Sequence, residues 1–221
     1  PCPLCCPQLE GLCSFLQLST CPEHLLVRFC RWLLALSPDL SYTSAAILAE
    51  QLFLRRVLSL SQPPSRHLMA ALASFCSKYS QPFCRVLVAA VLREPEQGTE
   101  QTKLVCELVE ECLEPDCVQL VLSQVLEVPL SERLLPVVQA VLGRQVRGSS
   151  LSTLSFLTIS SSAGAQDQLS LIVAVFQEVL PPKLFDLLVL TLCRQAPAFA
   201  TSLSYTQLVT AVLTMYQSQV R

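Results

Sequence analysis

Reactive chemistry in this chain would have to start from its cysteines, which number twelve in 221 residues against only two histidines. The knuckle Cys2-x-x-Cys5-Cys6, followed by Cys13, Cys21 and His24, brings together thiolates and an imidazole, the ligand types of a tetrahedral zinc site. The spacing is loose, no second C-x-x-C pair follows, and Cys13 and Cys21 fall on apolar positions of a helical pattern, so no metal ligand set is assigned. A cysteine nucleophile needs a base within hydrogen-bond reach, and only His24 and His67 are present to serve. His67 lies in Arg66-His67-Leu68-Met69 near a helix start and reads as a surface or capping residue. No G-x-S-x-G elbow gives the many serines a nucleophile setting, and no G-x-G-x-x-G or Walker-type loop offers a phosphate cradle. The chain therefore reads as a non-enzyme without catalytic, cofactor-binding or metal-binding residues.

What remains is polar chemistry suited to contact. Glu107, Glu110 and Glu111, with Glu114 close by, fall on one face of a helix, where they form a solvated acidic edge or a site for a basic partner. Arg55 and Arg56 interrupt the apolar run Leu52-Phe53-Leu54-Arg55-Arg56-Val57-Leu58. Neighbours on a helix diverge by about 100°, so one arginine is expected in solvent and the other against neighbouring structure or a partner, held through its guanidinium. Arg55, Arg56, Glu107, Glu110 and Glu111 are thus the candidate protein-interface residues. Trp32 is expected in the core rather than as an interface anchor.

Composition narrows the class. Hydrophobic residues make up 52% and charged residues 14%, against roughly 45–50% and 25% in an average soluble domain. No apolar stretch reaches the roughly 18 residues of a membrane span, because Gln177, Glu178, Lys183 and Asp186 interrupt the longest candidates. The apolar excess fits helices covered on several sides or surface kept for a partner. A net charge of −2 without a basic block gives no support for direct nucleic-acid binding. The cysteines sit in apolar helical patterns of a chain large enough to fold without staples, which favours reduced thiols. The start PCPLCCPQ lacks the basic region and apolar core of a signal peptide, and the expected compartment is cytosol or nucleus.

The elements that must carry these residues are helices. Apolar residues recur at three- and four-residue spacing, as in Leu25, Leu26, Phe29, Cys30, Leu33 and Leu34, and strand alternation is nowhere sustained. Fifteen prolines supply the breaks. A capping box at Thr20-Cys21-Pro22-Glu23 predicts a helix ending near Ser37-Pro38. Further helices are expected at 43–60, 65–79, 81–93, 99–113, 116–127, 131–146, 167–180, 183–195 and 203–218. Short links make neighbours antiparallel, and helix pairs recur roughly every 35 to 42 residues, the period of HEAT or armadillo arrays. The echo of Phe29-Cys30-Arg31…Leu40-Ser41-Tyr42-Thr43 in Leu192-Cys193-Arg194…Leu203-Ser204-Tyr205-Thr206 reads as one unit used twice. The expected fold is an all-α, right-handed α-solenoid of antiparallel helix pairs: repeats over 1–146, a Ser-rich atypical segment at 147–180, and a further repeat over 181–221.

Blocks of residues in order give the reading a family. Cys30-Arg31-Trp32-Leu33-Leu34-Ala35-Leu36-Ser37-Pro38-Asp39-Leu40-Ser41, Leu52 to Leu60, Ser74-Phe75-Cys76-Ser77-Lys78-Tyr79, Gln101-Thr102-Lys103-Leu104-Val105-Cys106, Leu113-Glu114-Pro115-Asp116 and Gln124-Val125-Leu126-Glu127-Val128-Pro129 resemble the C-terminal helical-repeat domain of the Fanconi anaemia group E family. The resemblance covers residues 9–146, lapses from 147 to about 179, and resumes over 181–220 at Tyr205-Thr206-Gln207-Leu208 and Thr214-Met215-Tyr216-Gln217. It implies a noncatalytic, nuclear subunit of the Fanconi anaemia core ubiquitin ligase complex, acting in DNA interstrand cross-link repair. The implied partners are the group C protein, other core-complex subunits and the clamp-like substrate pair that becomes monoubiquitinated, with no membrane or direct nucleic-acid contact. It also implies further helices beyond Arg221. An unrelated helical-repeat adaptor fits the composition equally well.

Overall fold

The computed structural model describes residues 6–36, 40–94, 98–144 and 180–215, and every regular element among them is helical. The chain divides into two compact units, 1–121 and 122–221. The first holds α1 (Cys6–Phe15), α2 (Glu23–Leu36), α3 (residues 42–58), α4 (Arg66–Lys78), α5 (residues 80–93), α6 (Thr99–Glu111) and the start of α7 (Pro115–Glu127). The second holds the rest of α7, α8 (residues 135–144, entered through a 3-10 turn at Glu132–Leu134), α9 (Pro182–Gln195, continued by a 3-10 turn at Ala196–Phe199) and α10 (Leu203–Met215).

Serine and proline place the helix starts. Ser41 accepts from the Ser44 amide at 3.1 Å to cap α3, Ser65 accepts from the Leu68 amide at 3.1 Å to cap α4, and Ser202 accepts from the Tyr205 amide at 3.0 Å to cap α10. Each satisfies an amide that the first helical turn leaves without a partner. Pro115 and Pro182 open α7 and α9, where a missing N–H costs nothing.

The predicted capping box at Thr20 does not form. The Thr20 hydroxyl instead donates back to the Gln17 carbonyl at 3.2 Å, and the Pro22 carbonyl accepts from the Leu25 and Leu26 amides at 3.0 Å. The reason lies in the turn before it. After α1, Leu18 N donates to Cys13 O and Gln17 N to Ser14 O, both at 3.1 Å, with Gln17 at φ 50°. This is a Schellman helix end, whose left-handed position is filled by glutamine where glycine is usual. That turn fixes the direction of the chain and points Thr20 toward α1. The helix α1 itself, with Leu9 and Cys13 buried, is an element the periodicity did not predict.

Among the described residues, two helices contain a π turn. In α3 the turn Glu50–Leu54 is π-helical between Tyr42–Ala49 and Arg55–Leu58, and in α5 the turn Cys84–Val88 is π-helical between Ser80–Phe83 and Ala89–Arg93. The two π turns pack on each other. Between them lies the aromatic centre of the first unit: Phe53, Phe75 and Phe83 are fully buried, with Phe53 edge-on to Phe75 at 5.5 Å and to Phe83 at 6.2 Å between ring centroids. Offset and edge-on rings add about 0.5–1.5 kcal/mol per pair beyond area burial, so this triad ties α3, α4 and α5 together.

Within the first unit α2 packs on α4 and α3 packs on α5. Ser65 at the start of α4 donates to the Glu23 carboxylate at the start of α2, and Lys78 at the end of α4 donates to Leu34 O near the end of α2 at 2.9 Å. Starts meet starts and ends meet ends, so α2 and α4 run parallel. Side-chain hydrogen bonds between helices of this unit include Arg56 with Cys21, 35 positions apart, and Lys78 with Leu34, 44 positions apart.

Both halves of the sequence echo run from the end of one helix through a link into the next, as expected, but their residues differ in burial and in place on the second helix. Cys30 and Tyr205 are buried while their counterparts Cys193 and Tyr42 are exposed. Tyr42 is the first residue of α3, whereas Tyr205 is the third of α10, where its hydroxyl donates to Leu192 O and its ring stacks on Phe199 at 5.1 Å. The expected helix at 167–180 lies outside the described residues, except for its last residue, Leu180.

Candidate interaction surface

Arg55 and Arg56 diverge as helical neighbours must. Arg56 is half-buried, and its guanidinium makes a fork: Nε donates to Leu52 O at 3.1 Å, and Nη2 donates to Leu18 O at 3.1 Å and Cys21 O at 2.5 Å, with Cys21 Sγ at 3.4 Å. It thereby clamps the loop between α1 and α2 to α3. A planar guanidinium fits this geometry because its donors are fixed in a fork, which an ammonium cannot reproduce. Arg55 is exposed and, with Glu50, lines an open hollow of about 600 Å³ that also takes in Ser19, Leu54 and Leu58.

Glu107, Glu110 and Glu111 are all exposed on α6. The opposite face of that helix carries buried Leu104, Val105, Leu108 and Val109. Among these carboxylates Glu110 reaches a neighbour electrostatically: burial first, and then the Glu110 charge, push the Cys106 thiol up to about 11.

Sequence reasoning missed the apolar surface of α2. Trp32, expected in the core, is 70% exposed, and Leu25 is 44% exposed. The half-buried Phe29 lies between them at helical spacing, with Arg28 and Arg31 exposed alongside. The core-facing side of α2 is made by Leu26 and Cys30, both fully buried, where α4 packs. Leu26 and Cys30 fill that contact, and Trp32 is turned out of it. Phe15, 83% exposed, and Leu12 and Leu16 extend the apolar surface of the first unit onto α1. In the second unit Leu187, Leu190, Leu203 and Leu213 are exposed on α9 and α10. A tryptophan flanked by arginines on an exposed helix face has the composition of a protein-binding hot spot.

The zinc candidates do not converge where they are described. Cys13 is buried, Cys21 faces Arg56, and His24 is exposed, while Cys2, Cys5 and the Cys6 side chain lie outside the described residues. Among the described residues no group of three or more histidine, cysteine or acidic side chains is arranged to hold a metal ion, and no helix is long and apolar enough to cross a membrane. Cys30 is pushed up to about 12, by burial first and by nearby Cys21 second, which keeps it a neutral core thiol.

Comparison with known proteins gives this helical surface its family. The model of the family described as "Fanconi Anaemia group E protein FANCE" matches residues 3–159. The human Fanconi anemia group E protein is 39% identical over 218 residues, which is 98% of this chain and 35% of the human protein's length. The family match runs past residue 146 into the Ser-rich segment, and the human match takes in nearly the whole chain. With the family model matching well over half of its residues, the chain belongs to the Fanconi anaemia group E protein family.

Proposed function

We propose that this chain is a noncatalytic adaptor of the nuclear Fanconi anaemia core ubiquitin ligase complex, holding the group C protein on one surface and presenting the clamp-like substrate pair on another. The observation that carries the reading is the row on α2 of exposed Leu25 and Trp32 with half-buried Phe29 between them, in a chain of this family. Leaving that much apolar area in water is unfavourable by about 25 cal/mol per Å², and a partner relieves it. Parallel packing of α2 on α4 supports a repeat array, here a right-handed HEAT- or armadillo-like solenoid, whose faces hold two proteins in fixed relation. Bridging then raises the substrate's effective concentration at a ligase subunit elsewhere in the complex.

Purified chain is mixed with the group C protein, and Trp32→Ala is compared with the parent. Because Trp32 is exposed, its truncation is expected to leave thermal stability within about 0.5 kcal/mol while weakening group C binding by at least about tenfold, the scale of a hot-spot loss. Binding that is absent in the parent chain would reject the adaptor reading. Binding unchanged by Trp32→Ala would move the interface off α2, to the acidic edge of α6 or the hollow beside Arg55.

A further inference from the structure

The outward side of α2 is asymmetric, and the asymmetry says what kind of segment fits it. At about 100° per residue, Leu25, Phe29 and Trp32 fall on one narrow stripe, with Leu26 and Cys30, the residues seated against α4, to one side of it. To the other side lie Arg28, about 60° round from Leu25, and then Arg31, about 120° round. Both arginines are exposed, and among the described residues neither guanidinium has a hydrogen-bond or ion-pair partner. The one carboxylate of α2, Glu23, accepts from Ser65, and Arg66 beside Ser65 is a third exposed guanidinium near the start of the helix.

We propose that α2 is the docking face for an acidic amphipathic helix of a partner protein, whose apolar stripe covers Leu25, Phe29 and Trp32 and whose carboxylates along one flank meet Arg28 and Arg31. The proposal rests on the adaptor reading and adds the chemistry of what is held there.

Backbone, spacing and charge each select this occupant. The N–H and C=O groups along α2 are spent inside the helix, so it offers no edge to an extended peptide, and a segment laid on it has to satisfy its own backbone. A helix does that. Leu25 and Trp32 stand about 10 Å apart along the axis, two turns, which is the span of anchors at i, i+3 or i+4, and i+7 on a second helix. A row this short is matched to a segment, whereas two globular surfaces in stable contact cover about 800 Å² on each side. Carboxylates opposite the arginines can be engaged in bidentate pairs, and a basic segment would be repelled. The acidic edge of α6 on a second copy does not serve, because Thr99, Lys103, Glu107, Glu110 and Glu111 are its exposed side chains and none is an apolar anchor for Trp32. Charge on one flank only also sets the direction in which the segment lies.

Trp32 is the single tryptophan of the chain and reports on its own burial through its fluorescence. The probe is a helical peptide of about 16 residues, free of aromatic residues, with leucines at i, i+3, i+4 and i+7 and glutamates along one flank; its control has glutamine in place of each glutamate. Titrated into the 221-residue chain, the acidic peptide is expected to move Trp32 emission saturably to shorter wavelength. Raising salt from about 0.05 M to about 0.5 M is expected to weaken binding by about tenfold. The glutamine peptide is expected to bind at least about tenfold more weakly, as is the acidic peptide to Arg28→Gln/Arg31→Gln. An unchanged urea midpoint shows that this variant is folded, and the comparison of the two peptides on the parent chain stands without it. Equal binding of the two peptides overturns the proposal, and so does an absent shift. A shift produced instead by concentrating the chain alone assigns the face to a second copy, and one produced only by phosphatidylserine vesicles assigns it to a lipid surface; either overturns the proposal. Group C protein binding is measured in parallel: binding without a peptide shift rejects this inference and leaves the adaptor reading, and a peptide shift without group C binding does the reverse.

Discussion

Replacing Arg56 by alanine isolates what the guanidinium clamp contributes. Two loop carbonyls, Leu18 O and Cys21 O, lose a charged donor, and the bond to Leu52 O goes with them. A hydrogen bond to a charged group contributes about 1.5–3 kcal/mol. The site is only half-buried, so water replaces part of each lost bond. The expected cost of Arg56→Ala is therefore about 2–3 kcal/mol, less than the sum of its parts. Arg55→Ala, one residue earlier but exposed, is expected to stay within about 0.5 kcal/mol. With a urea m-value of about 2 kcal/mol/M, Arg56→Ala lowers the unfolding midpoint, followed by circular dichroism, by about 1–1.5 M. Backbone amides in residues 16–21 should exchange about 30- to 150-fold faster if the loop opens locally, 1.4 kcal/mol being about a factor of ten. Arg56→Lys should fall between the two, since an ammonium cannot reproduce the fixed fork that engages three carbonyls. If Arg56→Ala and Arg55→Ala have the same midpoint and the same loop exchange, the clamp is not a stabilising feature and the reasoning fails.

Three other outcomes follow from the same geometry. Gln17→Gly relieves a left-handed backbone position and is expected to stabilise the chain by about 0.5–1 kcal/mol, seen as a higher unfolding midpoint; a lower midpoint would mean the Schellman turn is absent. Phe53→Ala empties the centre of the aromatic triad and is expected to cost about 3–5 kcal/mol, measured by urea or thermal unfolding. The folded pKa of Cys117, about 6, lies below its ordinary value of 9.0, so its ionisation adds stability above pH 9 that is lost as pH falls through 6. The stability advantage of the parent over Cys117→Ala should accordingly grow from about pH 5.5 to about pH 8, and a flat difference would contradict a lowered Cys117 pKa.

Most helix positions were legible because their starts are local chemistry. Ser41, Ser65, Pro115 and Pro182 mark helix beginnings through hydrogen bonds or a missing N–H that involve only a few neighbouring residues. Thr20 had the same local signature and failed, because the Schellman turn at Gln17 redirected the chain before the cap could form. The π turns of α3 and α5 were not legible: one added residue per turn leaves little trace where apolar residues occur on nearly every side of the helix, as in Leu52-Phe53-Leu54 and Val86-Leu87-Val88. For the arginines, helical geometry predicted divergence, while the identity of the buried one depended on where Leu18 and Cys21 present their carbonyls. Trp32 was misplaced for a related reason. Cys30, Leu33 and Leu34 are apolar on adjoining faces, and only the seating of α4 against Leu26 and Cys30 decides which face is left outside.

The spans of 35 and 44 positions bridged by the hydrogen bonds of Arg56 with Cys21 and of Lys78 with Leu34 bear on how the first unit comes to be folded in the first place. A helix leaving the ribosome at about 5–20 residues per second waits roughly 2 to 9 seconds for the residue 44 positions later that completes its contacts, and no partner from the far end of the protein is required. Glu23 meets Ser65 and Leu34 meets Lys78 on that clock. The apolar faces destined for the core are thus exposed only briefly during synthesis, so a chain this rich in hydrophobic residues can mature in sequence order with a short aggregation-prone interval at each step.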